Sequence, residues 1–218
     1  MKVDIWSDVR CPFCYIGKRK FEKALSQFEH KDKVEVEWHS YELDPHAKTE
    51  PTKNAHEHLA DIKGQSKEWA MEMGRYVSET AAEIGITFDL DRQVVANSFN
   101  AHRLIQLAKS MGLGDEVEES LFAAHFTEGK NIDDKQTLVE IGVAIGIDEE
   151  VVSRMLESNS FTDEVRYDQS TAKSIGISGV PFFILNQKYT ISGAQPPATF
   201  LDALKMSWLE YAAQEDSF

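Results

Sequence analysis

Alternating apolar and polar positions near the N-terminus predict two strands with a helix between them. Residues 3–7 and residues 33–39 each have the period of two that is typical of a half-buried strand. The apolar stripe of the intervening helix consists of Cys14, Phe21, Leu25 and Phe28. Because a helical crossover joins the two strands in the same sheet, the strands are predicted to be parallel.

From residue 66 to about residue 175, a period of 3.6 replaces the period of two. Residues 49–64 before it are polar and show little periodicity, which predicts a long loop containing at most a short helix. Six helices are predicted after residue 66, and glycines end several of them. Asp148 and Thr162 are the predicted N-caps of the last two helices. About a hundred residues without a convincing long strand indicate a helical insertion.

Strands return near the C-terminus. The continuous apolar run at residues 182–185 predicts a strand buried on both faces. Residues 189–192 predict its partner in a hairpin with a short turn. A Pro-Pro pair then opens a final helix, and the tail after Gln214 is predicted to fray.

Charge and hydropathy exclude several classes of protein. The 218-residue chain carries a net charge of −14, which argues against a nucleic-acid-binding surface and against binding to anionic membranes. It has no apolar stretch of about 18 residues, so no transmembrane helix is expected. The chain begins with Met1 and enters a strand directly, without a basic and then apolar leader. A cytoplasmic location is therefore expected.

The candidate chemistry lies in the sequence Cys-Pro-Phe-Cys at residues 11–14, which contains the only two cysteines of the chain. Pro12 suits the first turn of a helix, so Cys11 is predicted at the N-cap and Cys14 one turn later on the same face. The helix dipole and the free N–H groups favour a thiolate at Cys11. A thiolate is the nucleophile of disulfide exchange.

This cysteine pair has two other interpretations. Structural zinc takes four protein ligands, and there is no second pair of cysteines to complete such a site. His56 and His58 are possible partners, but two histidines in a polar stretch are more typical of a solvated surface. An inert buried pair is the other alternative. The order strand, Cys-Pro-x-Cys and helix favours a redox dithiol, without metal and without a bound cofactor.

The chain resembles the DsbA-type branch of the thioredoxin fold, and within it the FrnE-like subgroup. The resemblance rests on the order of elements and on four sequence motifs spread over the chain. They are WSDVRCPFCYIG at residues 6–17, AHRL at 101–104, GVPFF at 179–183 and SGAQ at 192–195. The resemblance implies an α/β, thioredoxin-like fold with a large all-helical insertion. The predicted thioredoxin-like domain comprises residues 1–48 and 162–218, and the insertion comprises residues 49–161.

The resemblance also implies roles for individual residues. Cys11 matches an attacking cysteine and Cys14 a resolving one, and Pro181 matches a cis-proline that lies against the dithiol. From the residues alone, Pro181 is equally an ordinary trans proline of a turn, although a bond to proline costs little to hold in the cis form. Such a proline leaves the backbone of Val180 free to pair with an extended substrate. The predicted substrate-binding residues are Pro12, Phe13 and Val180.

The function implied is thiol–disulfide oxidoreduction, on protein or low-molecular-weight disulfides, with glutathione as a possible redox partner. The alternatives are a glutathione-dependent isomerase or transferase of a small aromatic substrate, and a non-catalytic, chaperone-like peptide-binding protein. Related isomerases and transferases typically carry serine at the position of Cys11. A monomer or a homodimer is expected. Strongly oxidising DsbA proteins have histidine where this chain has Phe13, so a less oxidising dithiol is expected.

The insertion is expected to cap the dithiol and to leave a substrate groove beneath it. The candidate groove residues are Asn97, Phe99, His102 and Phe126. For His102 and His125 the preferred interpretation is structural, as partly buried helix histidines with a hydrogen-bond partner.

Overall fold

The computed structural model describes residues 1–215, with side chains as far as Ala213. In chain order the elements are β1 (Lys2–Ser7), α1 (Pro12–Ser26), β2 (Glu35–Ser40), α2 (Ala55–Lys63), α3 (Lys67–Ala82), α4 (Phe99–Ser110), α5 (Gly114–Phe126), α6 (Lys135–Ala144), α7 (Glu149–Glu157), α8 (Thr162–Ser174), β3 (Phe182–Leu185), β4 (Tyr189–Ser192) and α9 (Pro197–Glu215). The prediction that the chain frays after Gln214 concerns residues 216–218, which lie outside the described range. Within that range no helix is both long enough and apolar enough to span a membrane.

The four strands form one mixed sheet in the order β2-β1-β3-β4. β1 is parallel to β2, as the strand–helix–strand pattern predicts, with Val3 opposite Val36. β3 is antiparallel to β1 and to β4, and Phe183 lies opposite both Ile5 and Ile191. The predicted α/β fold and the C-terminal hairpin are thus confirmed.

Helices cover both faces of the sheet. On one face α1 and α9 pack against β3, where the rings of Phe21, Phe183 and Phe200 have centroids 4.7–5.8 Å apart. On the other face α8 places Ala172 against Trp6. The prediction that β1 is half-buried is therefore wrong, because residues 3–7 are all buried. Its buried carboxylate, Asp4, is paired with Lys2 and His39 rather than exposed to solvent.

β3, in contrast, is less buried than its sequence predicts. Phe183 and Leu185 are fully buried, whereas Phe182 and Ile184 are half-buried. These two side chains belong to the smaller cluster under α8, which covers that face of the sheet incompletely. A continuous apolar run thus marks a strand that is buried fully on one face only.

The helices between β2 and β3 share a second core with the N-terminal end of α1. Cys14 and Tyr15 belong to it, and the ring of Tyr15 stacks on Phe122 of α5 with centroids 4.9 Å apart. The insertion is therefore packed directly over the Cys-Pro-Phe-Cys segment. The domain boundaries after residues 48 and 161 stay a prediction.

Local sequence signals account for most helix ends in this part. Asp148 accepts hydrogen bonds from backbone N–H groups of α7, as predicted for an N-cap. Thr162 is the first residue of α8 rather than its cap, and the cap position is taken by Phe161 in a left-handed conformation. Within residues 49–64, α2 is the short helix that the sequence allows, and it occupies more of the segment than expected. Its N-cap is Asn54, whose side chain accepts from two backbone N–H groups.

Candidate active site

Cys11 and Cys14 lie at the start of α1, where β1 delivers the chain into the helix. Cys11 is the N-cap residue and Pro12 the first helical residue, as the sequence predicts. No side chain caps the helix, so its first N–H groups remain available to a negative charge at Cys11. Both cysteines are free thiols. Cys11 is the more exposed, at 6% against 1% for Cys14, but the insertion covers both.

The two thiols differ in their electrostatic surroundings. Burial raises the pKa of Cys14 well above its ordinary value, and the neighbouring Cys11 raises it further. The backbone of Asp8 offsets only part of this effect. A negative charge on Cys11 therefore makes Cys14 hold its proton more strongly. This asymmetry suits one thiol that reacts first and a second that reacts later.

Val180 and Pro181 approach the dithiol from the loop before β3. The peptide bond between them is cis. The thiol of Cys11 donates a hydrogen bond to the Val180 carbonyl oxygen, with 3.7 Å between sulfur and oxygen. Pro181 is buried against α1, because a Cβ added at Gly17 would lie only 2.9 Å from its Cγ. The structure thus brings Cys11 together with Val180, which lies 169 positions away in the sequence.

A buried set of ionisable side chains, here called the Asp8 cluster, lies close to the dithiol and consists of Asp8, His102 and Glu118. The Asp8 carboxylate accepts from the backbone N–H groups of Arg10 at 3.1 Å and Leu43 at 2.8 Å. His102 Nε2 lies 3.5 Å from the same carboxylate. All three cluster residues are at most 1% exposed. A histidine of the insertion is therefore paired with the segment that leads to Cys11.

Opposing effects set the charges in the Asp8 cluster. Burial raises the pKa of Asp8, but His102 and the backbone N–H of Leu43 lower it overall. Burial lowers the pKa of His102, but the Asp8 carboxylate raises it overall. Glu118 lacks such compensation, so burial raises its pKa to about 8 although His102 and Lys18 oppose the shift. These shifts favour a charged His102 beside an ionised Asp8, and they make the Glu118 carboxyl group keep its proton to a higher pH than usual.

Sequence reasoning missed Asp8 and Glu118 as parts of the site. The signal at Glu118 was an acidic residue on the apolar face of α5, between the buried Val117 and Leu121. For His102 the sequence predicts a partly buried histidine with a hydrogen-bond partner. The ring is instead fully buried, and among the described residues neither of its nitrogens has a hydrogen-bond partner.

A cavity of about 530 Å³ opens beside Cys11, between the active-site segment and helices α2 and α3. Its walls are mostly apolar. Residues that line it are Cys11, Pro12, Phe13, Leu59, Trp69, Met73, Val77, Val95 and Phe126. Two of the three predicted substrate-binding residues, Pro12 and Phe13, are among them. Val180 contacts Cys11 outside this lining.

Three of the four candidate groove residues are not part of this lining. Phe126 lines the cavity, but Asn97, Phe99 and His102 do not appear among the described residues around it. The Asn97 side chain donates instead to the Ala47 carbonyl at 2.9 Å. Phe99 packs under the guanidinium of Arg166, 4.5 Å from its ring centroid. Asn97 precedes α4, and His102 pairs with Asp8 instead of lining the cavity.

Metal-ligating side chains approach one another closely at one place in the described part of the chain. Asp4, Glu37 and His39 form this group in the β1–β2 pair, away from the two cysteines. The ammonium of Lys2 lies 2.9 Å from Asp4 and 2.5 Å from Glu37 and already supplies a positive charge there. The group is therefore explained by ion pairing within the protein.

The fold and the dithiol define a protein of the thioredoxin class. A family model, the DSBA-like thioredoxin domain, matches residues 2–205, and the chain belongs to that family of thiol oxidoreductases. The probable DsbA oxidoreductase SCO1869 from Streptomyces coelicolor is 37% identical in sequence to this chain. Its crystal structure superposes on this chain with a TM-score of 0.91, and the match covers 96% of this chain and 91% of that chain.

Two further relatives bear on the family. The uncharacterized protein YwbO of Bacillus subtilis is 28% identical over 205 residues, covering 93% of this chain and 94% of YwbO. The cytosolic disulfide reductase DsbM of Pseudomonas aeruginosa, in a structure with glutathione, is 17% identical. Its TM-score is 0.65, with 99% of this chain and 100% of DsbM covered, which shows a shared fold.

Proposed function

We propose that the protein is a thiol–disulfide oxidoreductase in which Cys11 attacks and Cys14 resolves. The observation that carries this proposal is the asymmetry of the free dithiol. Cys11 lies at an uncapped helix N-terminus and opens onto a cavity, whereas Cys14 is buried behind it with a raised pKa. The substrate is a protein or low-molecular-weight disulfide.

The reaction proceeds in two exchange steps. The Cys11 thiolate attacks one sulfur of the substrate disulfide, which forms a mixed disulfide and releases the first substrate thiolate. Cys14 then loses its proton and attacks the Cys11 sulfur, which releases the second thiolate and leaves a Cys11–Cys14 disulfide. The substrate gains two electrons and the dithiol loses two. Two molecules of a low-molecular-weight thiol such as glutathione return the protein to its reduced form and leave as their own disulfide.

The surroundings of Cys11 support proposed roles for the other predicted residues. Pro12 and Phe13 contact the substrate from the cavity wall, and the backbone of Val180 pairs with an extended substrate beside the Cys11 thiol. Phe13 supplies neither a charge nor a ring N–H to a Cys11 thiolate. The dithiol is therefore less oxidising than that of DsbA, which suits a FrnE-like reductase or isomerase of the cytoplasm.

Single cysteine variants test the two roles. We expect Cys11→Ser to lose the release of the first substrate thiol, by at least about a thousandfold, because no nucleophile remains. We expect Cys14→Ser to release one thiol and to stay trapped as a mixed disulfide at Cys11, which mass spectrometry detects. Alkylation of the reduced wild-type protein at mildly acidic pH should label Cys11 first. Preferential labelling of Cys14, or a mixed disulfide on it, would reverse the roles.

The cavity favours one second candidate, a glutathione-dependent isomerase or transferase of a small aromatic molecule. Its size and apolar walls are typical of a small-molecule site. Against this function stands the complete cysteine pair. A variant with serine at both positions distinguishes the two, since an isomerase with a serine at position 11 would keep its activity and an oxidoreductase would lose it.

A further inference from the structure

The cavity beside Cys11 has a charge opposite to that of the protein. The chain carries a net charge of −14. Among the described residues that line the cavity, however, the cations are Arg10 and Lys63, and the one carboxylate is the exposed Asp44. The remaining lining is mainly apolar. An apolar cavity with a cationic bias in an acidic protein indicates a ligand that combines an apolar body with a negative group.

Arg10 is the cation in the better position, because it directly precedes Cys11 in the chain and lines the cavity with it. In the described part of the protein its guanidinium makes no hydrogen bond and no ion pair, and its Nη1 is buried without a partner. Asp8 is engaged by the backbone N–H groups of Arg10 and Leu43 instead. A buried guanidinium nitrogen without an acceptor is costly unless a ligand supplies one.

His125 offers a second donor on the cavity wall. It is only 3% exposed, and its Nε2 lies 2.8 Å from the side-chain amide nitrogen of Gln93. An amide nitrogen donates, so the ring accepts at Nε2 and carries its hydrogen at Nδ1, which has no partner. Burial and the charge of Arg10 lower the pKa of His125 to about 3, so the ring is neutral. Its unused N–H suits an oxygen acceptor.

We propose that the cavity binds the carboxylate of a small apolar thiol or disulfide through Arg10 and His125. The apolar body, aromatic or branched aliphatic, packs against Trp69, Met73 and Val77, and its sulfur lies at Cys11. A planar guanidinium matches a carboxylate with two parallel hydrogen bonds, and the neutral imidazole adds a third donor. This substrate class rests on the proposed function, because it places the substrate sulfur at the attacking thiol.

A matched pair of aromatic disulfides tests the proposal on the reduced protein. One is 5,5′-dithiobis(2-nitrobenzoate), which carries carboxylates, and the other is 4,4′-dithiodipyridine, which carries none. The measured quantity is the ratio of their second-order rate constants. We expect Arg10→Gln to lower this ratio about 10- to 100-fold, because a charge-assisted hydrogen bond is lost. His125→Asn should lower it less, by about 3- to 10-fold. The neutral disulfide corrects for any change in the nucleophilicity of Cys11.

Lys63→Gln is the matched control. Lys63 is an exposed cation that lines the same cavity, and its replacement by glutamine removes the same unit of charge. It should change the ratio by less than about twofold. An equal effect of Lys63→Gln and Arg10→Gln would show general electrostatic attraction and overturn the proposal. So would an Arg10→Gln variant that slows both disulfides equally, since Arg10 would then act on the thiol alone.

Equilibrium binding separates this inference from the proposed function. In a Cys11→Ser background, where exchange cannot occur, benzoate should bind more tightly than benzamide, and Arg10→Gln should remove the difference. If the wild-type protein reacts with neither disulfide but benzoate still binds through Arg10, the proposed function fails and the carboxylate site stands. If benzoate and benzamide bind equally, the carboxylate site fails, whatever the exchange rates show.

Discussion

Two buried histidines, His39 and His102, differ in how fully their rings are hydrogen-bonded. Burial lowers the pKa of each, yet neighbouring carboxylates raise both above the ordinary value. His39 lies 2.8 Å from Asp4 and 3.0 Å from Asp168, one carboxylate at each ring nitrogen. Among the described residues His102 has no hydrogen-bond partner at either ring nitrogen, and its ion pair with Asp8 spans 3.5 Å.

The difference separates a cluster in which the histidine ring is fully hydrogen-bonded from one in which it is paired only by charge. In the His39 cluster of Asp4, His39 and Asp168, the Asp168 carboxylate also accepts from the Ser40 backbone at 2.8 Å and from Gln106 at 2.6 Å. These bonds tie β1 and β2 to α4 and α8. In the Asp8 cluster, the Asp8 carboxylate accepts from two backbone N–H groups, but among the described residues neither ring nitrogen of His102 has a hydrogen-bond partner. The His39 ring is therefore held by direct hydrogen bonds, and the His102 ring by a longer ion pair.

The largest effect on stability is expected from Asp168→Ala, which removes a carboxylate that accepts from three buried donors. It should lower the free energy of unfolding by about 3–5 kcal/mol, because His39 is left as an incompletely paired buried charge. Urea unfolding at neutral pH measures this loss. Glu164→Ala, at an exposed site of the same helix, should cost less than about 1 kcal/mol. Normal stability together with lost thiol exchange would contradict the structural role.

Glu118→Gln should have a smaller effect on the free energy of unfolding, and at alkaline pH it should stabilise the protein rather than destabilise it. The native pKa of Glu118 is about 8, above its value of 4.5 in the unfolded chain, so the native state keeps a proton that the unfolded state releases. Stability therefore falls as pH rises from 4.5 towards 8. At pH 9 the variant should be more stable than the wild type by about 2–4 kcal/mol.

The pH dependence of unfolding in denaturant tests the Glu118 prediction, and Glu116→Gln on the exposed side of α5 is its control. The control should follow the wild-type curve. A Glu118→Gln curve parallel to that of the wild type would show that Glu118 is already ionised in the native protein.

The smallest effect is expected from His39→Gln, and its pH dependence should distinguish the clusters further. Because the folded pKa of His39 is raised, its stabilising contribution is complete below pH 6.5 and is lost as pH rises through the folded pKa. The variant should lose about 1 kcal/mol more at pH 6 than at pH 9. Thermal unfolding at the two pH values measures this difference. An equal loss at both would mean that His39 is neutral throughout.

The parts of the fold that follow local rules could be predicted from the sequence. The spacing of Cys11, Pro12 and Cys14 places the dithiol at a helix start, since capping preferences act within one turn. The period of two identifies β1 and β2, and their parallel pairing follows from the crossover. Residues 55–63 could not be assigned in this way. They form α2 through the Asn54 cap and through packing against α3, which their polar sequence does not show.

The electrostatics of the site could not be predicted, because they depend on contacts distant in the sequence. Asp8 meets His102 across 94 residues, and Arg10 shares a cavity wall with His125. No periodicity links such positions. The alternation of β1 was misleading for a related reason, since Asp4 is polar and yet buried by its bonds to Lys2 and His39.

Gly17 shows how selection for stability can conflict with the geometry of this site. Glycine inside a helix is less favourable than alanine by about 1 kcal/mol, so a stability-guided redesign of α1 would replace it. A methyl group at that position would lie 2.9 Å from Pro181, closer than side-chain carbons approach one another, and would displace the loop that contacts Cys11. The residue that weakens the helix most is thus the one that a designer should leave unchanged.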